Sequence, residues 1–148
     1  MTFKFKLQRV LDIKKKKEDT LHIEHNLLND QYNAMLRELA ALHGIREAMI
    51  LEMEEKQKAK ISVEELLFYE KYTDILKKDI ALKKDGLKKK EASLAAKKAE
   101  LIEAQKDRRI LEKLEDKKLV QYRHSEEIKD QEIQDEVGLN MFYRKIGS

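Results

Sequence analysis

The stretch Lys60-Ile61-Ser62-Val63-Glu64-Glu65 decides how the rest of this chain is read. Ser62 and Glu65 stand at the S-x-x-E spacing of a capping box. In that arrangement the hydroxyl accepts from the backbone N–H three residues on, and the Glu reaches back to the N–H of the cap. Val63, Glu64 and Glu65 then open a helix with negative charge at its positive dipole end. No other point between Thr2 and Gly138 carries so clear a start signal. The reading is therefore all-α. A first helix covers about residues 3–58, a turn covers 57–61, and a second helix covers about 62–137, with 138–148 as a flexible tail. The two helices run antiparallel as one long coiled-coil hairpin, a single unit over residues 1–148, with the second helix overhanging the first. If the box instead falls by chance inside one continuous helix, that helix has to dimerise to bury its apolar stripe.

Composition agrees. Charged residues make up 41% of the 148, there is no Pro and only four Gly, so nothing interrupts very long helices. Abundant Lys, Glu and Leu with helical periodicity is the composition of a coiled coil. Nine aromatic residues, none of them Trp, leave little material for a wide core, and a narrow seam is expected instead. The net charge of +3 is near balance and does not argue for nucleic acid. The absence of Cys removes disulfides, thiolate nucleophiles and zinc-thiolate sites. The opening Met-Thr-Phe-Lys-Phe-Lys lacks the apolar region of a secretory signal, and no apolar run approaches the ~20 residues that span a bilayer. The expectation is a soluble, cytoplasmic protein.

In the first arm, Leu7, Leu21, Leu28, Met35, Leu42 and Met49 share one seven-residue ladder, with Lys14 and Lys56 as its polar members. A companion ladder holds Leu11, Tyr32, Leu39 and Met53, interrupted by Glu18, His25 and Arg46. Alternating steps of three and four make a coiled-coil seam, and strict seven-residue spacing gives it a left-handed supercoil. Gly44 inside this arm marks either a bend, a close contact or nothing at all. The run of Lys14, Lys15, Lys16 and Lys17 reads as a solvated face whose stems cover seam residues. His22 and His25 lack a third ligand nearby, which leaves a metal site unsupported.

The second arm opens with Leu66, Leu67, Phe68, Tyr69, Tyr72, Ile75 and Leu76, which occupy more than one helix face. A two-stranded seam buries only part of a helix's circumference, so some of these form either a docking surface or a local core at the closed end. From Ile80 the ladder runs through Leu87, Leu94 and Leu101, with Lys83, Lys90 and Lys97 in the companion position before Ala104 and Leu111. That seam is thin. Lys77, Lys78, Lys83, Lys84, Lys88, Lys89, Lys90, Lys97 and Lys98, facing only Asp79, Asp85 and Glu91, build a basic surface suited to an acidic protein partner. Nucleic-acid modules pair such charge with stacking aromatics or a groove-reading fold, and neither is present. Glu126, Glu127, Asp130, Glu132, Asp135 and Glu136 then crowd a helix C-terminus, where the dipole disfavours them unless a basic partner sits there. About twenty residues project past the first arm, and a lone helix is marginal in water without packing. No phosphate loop, nucleophile elbow, metalloprotease motif or cysteine is present, so an enzyme is not expected, nor any cofactor or small-molecule ligand.

Two stretches carry a family resemblance. Phe3-Lys4-Phe5-Lys6-Leu7-Gln8-Arg9-Val10-Leu11-Asp12 resembles the opening of the flagellar export protein FliJ family. Leu111-Glu112-Lys113-Leu114 running to Tyr122, then Gln131-Glu132 and Asp135-Glu136, resembles that family's C-terminal pattern. The resemblance implies a long antiparallel two-helix coiled coil, similar to the stalk subunit of rotary ATPases. It also implies a cytoplasmic component of the flagellar type III export apparatus, peripherally associated with the membrane at the flagellar base and monomeric when free. Its implied partners are the export ATPase ring (FliI), the cytoplasmic domain of the export gate protein FlhA, and export chaperones. Carried over by position, the ATPase-facing residues are Leu7, Gln8, Leu11, Arg109, Glu112, Leu114, Tyr122, Asp135 and Glu136. The gate-facing ones are Tyr72 and Leu76, while Asp79 and Lys83 depart from the family pattern.

Overall fold

The computed structural model describes residues 2–147; Met1 and Ser148, the ends of the expected unit and tail, lie outside the described residues. Two helices account for nearly all of it, α1 (Gln8–Lys58) and α2 (Val63–Ile146), packed against each other as an all-α helical hairpin. Ser62 caps α2: the Glu65 amide donates to its Oγ at 3.2 Å, and the Leu66 amide donates to its carbonyl at 3.1 Å. Residues 59–62 make the connection, so the turn sits slightly later than the expected 57–61.

Both outer boundaries differ from the sequence reading. The first helix starts at Gln8, not Phe3, after a turn closed by the Gln8 amide on the Phe5 carbonyl at 3.1 Å. Residues 2–6 alternate: Phe3 and Phe5 are half-buried, while Thr2, Lys4 and Lys6 are exposed. That period of two belongs to an extended segment lying along a surface. At the other end, α2 passes straight through Gly138 to Ile146. A glycine terminates a helix by adopting a left-handed conformation, and no described glycine has positive φ. Arg144 and Lys145 in the last turn suit the negative end of the dipole. The expected tail is thus helix over residues 138–146.

The chain forms two compact units, residues 19–101 and residues 2–18 with 102–147. In the first, the seam buries Leu21, Tyr69, Leu76, Ile80, Leu87 and Leu101, with Leu28, Met35, Leu39, Leu42, Met49 and Met53 half-buried. All but Tyr69 and Leu76 are the expected ladder positions; those two extend the line of Lys83, Lys90 and Lys97 by sevens toward the turn. Lys83, Lys90 and Lys97 lie along the seam, each reaching across it: to Glu38 at 2.6 Å, Gln31 at 2.8 Å and Glu24 at 2.7 Å. Numbers rise by sevens on one helix and fall by sevens on the other, which fixes the antiparallel register. The stretch expected to have the weakest seam therefore replaces apolar knobs with cross-helix hydrogen bonds. Gly86 makes room for the Met35 methyl, 3.0 Å from where a Cβ would stand, whereas Gly44 has nothing within 4 Å.

In the second unit Leu11 is fully buried and Ala104 nearly so. Lys14 pairs with Asp107 at 3.4 Å, and the buried Glu18 is held by Arg108, again antiparallel.

Candidate partner-binding surfaces

The unit containing residues 2–18 and 102–147 holds all nine of the expected ATPase-facing residues. Its extended N-terminal segment lies against α2, with the Phe3 and Tyr122 rings 5.5 Å apart and tilted by 46°. Beside them opens a groove of about 510 Å³. Phe3, Phe5, Leu7, Leu114 and Tyr122 give it an apolar lining, and Lys4, Lys6 and Lys118 stand around it. Leu7, Leu114 and Tyr122 were expected at this end on resemblance; Phe3 and Phe5 were missed as lining. Their alternation with charged residues was the signal that could have found them.

One turn further along, a carboxylate network forms. Arg108 Nε donates to Glu18 Oε2, and its Nη1 reaches both oxygens of Glu112 at 3.0 and 2.9 Å. The bond to Glu18, then that to Glu112, raises the Arg108 pKa above its ordinary value, so the guanidinium is permanently charged here. Glu112 is therefore held inside the chain by Arg108, while Arg109 is exposed. Gln8 is exposed and donates to Asp12 Oδ1 at 2.9 Å. Leu11, in contrast, is fully buried within the chain.

Past Glu126 every described residue is exposed. Ile128, Ile133, Val137, Leu139, Met141, Phe142, Tyr143 and Ile146 are between 47% and 65% exposed, a run of apolar residues with no second helix against it. Asp135 accepts from Gln131 Nε2 at 3.3 Å and Glu136 is exposed. This is the overhang, and it is longer than expected because Gly138 does not stop it.

In the other unit Tyr72 is 39% exposed and stacks on Phe68, ring centroids 6.2 Å apart and planes 17° from parallel. Leu76 is only 5% exposed. It belongs to the seam, whereas Tyr72, the other residue expected to face the gate, keeps exposed surface. Phe68, Ile75 and Leu82 stay exposed along α2. The patch thus divides: Tyr69, covered by the Lys56 ammonium 5.1 Å from its ring centroid, and Leu76 are core, Leu66 is half-buried, and Leu67, Phe68, Tyr72 and Ile75 are surface. That contact with Tyr69 raises the Lys56 pKa. Lys97 is likewise raised, first by its bond to Glu24. Of the basic cluster, Lys77, Lys78, Lys84, Lys88, Lys89 and Lys98 remain exposed. Among the described residues no group of three or more His, Asp or Glu is placed to hold a metal ion, and no helix is long and apolar enough to cross a membrane.

No curated protein and no solved structure matches the chain. A model of one protein family does, described as flagellar FliJ protein and matching residues 3–147. That match spans both helices, the Phe3 segment and the overhang, and on it the chain belongs to the flagellar FliJ family, components of the flagellar export apparatus.

Proposed function

We propose that this chain is a non-catalytic stalk of the flagellar type III export apparatus. Its end carrying the Phe3–Tyr122 groove and the overhang enters the ring of the export ATPase and promotes the ring's assembly and activity. The observation that carries this reading is the overhang itself. A helix with eight exposed apolar side chains and no packing partner is marginal in water and gains stability when a second surface covers it. The groove extends that surface, with Arg109, Asp135 and Glu136 as exposed charges for orientation. In the same unit the bond from Arg108 to Glu18 ties α2 to α1.

Stimulation requires the stalk to contact ring subunits differently in their different conformations, since equal contact with every state shifts nothing. Tyr72 in the other unit is the exposed residue for the export gate protein, and an escort role toward export chaperones fits the same surface chemistry. A nucleic-acid role is weakened because Lys83, Lys90 and Lys97 are already engaged within the chain.

The test is stimulation of the export ATPase by the full chain and by a chain lacking residues 126–148. Loss of stimulation, with helix content of the remainder retained, is the expected result. Unchanged stimulation would remove the overhang from the mechanism.

A further inference from the structure

Outside the seam, α2 carries a second line of apolar residues within the unit of residues 19–101. Phe68, Tyr72 and Ile75 follow at steps of four and three, and Leu82 comes one heptad after Ile75, with Asp79 standing in that gap. Steps of four and three keep residues on one face of a helix. The four apolar side chains are 62%, 39%, 47% and 69% exposed in that order, so the hairpin's own seam leaves them uncovered. Lys71 lies four residues before Ile75 and Asp79 four after it. Both are exposed, and neither has an ion-pair partner among the described residues.

We propose that this face pairs with the same face of a second copy of the chain, antiparallel, about a twofold axis at Ile75. In such an interface each residue i that meets j is matched by j meeting i. Opposed this way, Ile75 meets Ile75, Phe68 meets Leu82, and Lys71 meets Asp79. The Tyr72 hydroxyl falls beside the same Asp79. The carboxylate that interrupts the apolar line is thereby supplied with two donors, and every apolar residue lands on another. Parallel pairing instead sets Asp79 against Asp79 and Lys71 against Lys71, and like charges directly opposed are unfavourable. The pattern is therefore self-complementary in one orientation only. About four helical turns from each copy make an interface well below the roughly 1,600 Å² of a standard complex. Association is accordingly weak, and the dilute chain is monomeric. Tyr72 is shared with the surface proposed for the export gate, so the pair and the gate exclude each other; the pairing itself does not rest on the gate reading.

Because the chain has no Cys, Ile75→Cys places a single thiol on the axis. Oxidised with glutathione disulfide, full-length Ile75→Cys is expected to form a disulfide dimer at least about 10-fold faster than Ala95→Cys, an exposed site off this face. A mixture of Phe68→Cys and Leu82→Cys is expected to cross-link to each other in preference to themselves. Sedimentation equilibrium up to about 500 µM should show reversible dimers, weakened at least about 10-fold by Lys71→Asp and recovered by Lys71→Asp with Asp79→Lys. A monomer throughout, equal rates at positions 75 and 95, or preferred 68–68 and 82–82 cross-links would each overturn the proposal.

Discussion

Replacing Leu11 with Ala tests how far the unit of residues 2–18 and 102–147 rests on its buried packing. Leu11 is the one large apolar side chain among the described residues with no exposed surface at all. The substitution removes three carbon atoms, worth about 2.4 kcal/mol at about 0.8 kcal/mol each. A cavity adds to that only where the walls stay rigid. Two helices and a short extended segment can close inward, so the expected loss is about 2.5–3.5 kcal/mol, in the lower part of the range for buried Leu to Ala. Val10, next in sequence and 40% exposed, provides the comparison. Val10→Ala gives up little burial and gains helix propensity, so its effect should stay within about 0.5 kcal/mol of zero. Urea unfolding followed by circular dichroism measures both, and amide exchange over residues 8–18 and 102–120 shows whether the loss is local. Equal effects at the two positions, or a Leu11→Ala loss below about 0.5 kcal/mol, would refute the burial argument. In an ATPase assay Leu11→Ala should lower stimulation only as far as it unfolds this unit.

Four further outcomes are expected. Gly44→Ala should stabilise the chain by about 1 kcal/mol in the same unfolding experiment, since the site is helical and a new methyl meets nothing within 4 Å. Gly86→Ala should gain nothing comparable, because its Cβ would stand 3.0 Å from the Met35 methyl and displace it from the seam. Lys56 and Lys97 have pKa values raised above the ordinary 10.5, so their folded-state contacts contribute fully below that value and are lost as pH rises through the raised ones. Thermal stability should then show no contribution from these two groups to any change between pH 7 and 9, and a fall at higher alkaline pH that Lys97→Met reduces. Amide exchange should be fastest over residues 127–146, where exposed backbone hydrogen bonds have no tertiary cover; protection there equal to that around Leu87 would contradict the overhang.

Much of this fold was legible in the sequence because its causes are local and periodic. The Ser62–Glu65 cap is a short-range chemical signal, and the bond from the Glu65 amide to Ser62 realises it. The ladders of Leu and Met forecast the seam because a heptad pattern has only one face to bury. Legibility failed where a residue has two roles that composition cannot separate. Gly138 is a helix stop only in a left-handed conformation, and sequence alone does not show φ. Phe3 and Phe5 were read as helix because their period of two lasts only five residues. Leu11 and Leu76 are expected on resemblance to face partners, and both are buried; Leu11 already stands on a ladder, whereas Leu76 reads only as part of the apolar opening of the second arm. The division of the lysines needed the structure outright: Lys83, Lys90 and Lys97 differ from Lys84, Lys89 and Lys98 by a single step along the helix, which decides between a cross-helix bond and open solvent.

The Lys83–Glu38, Lys90–Gln31 and Lys97–Glu24 bonds repeat at the same interval as the seam itself. Sliding one helix past the other by a full heptad would let Lys83 meet Gln31 and Lys90 meet Glu24, leaving only one lysine stranded. The ladder therefore behaves like a ratchet with equivalent teeth, able to hold the helices together in more than one alignment. What selects among those alignments must be aperiodic. The Gly86 notch that receives Met35 and the Tyr69 ring beneath Lys56 each occur once, and a slide would set Met35 against Asp79 or Ser93, neither of which leaves that space. Filling the notch should thus loosen alignment before it loosens association, turning a fixed pair of helices into one that can shift by a tooth.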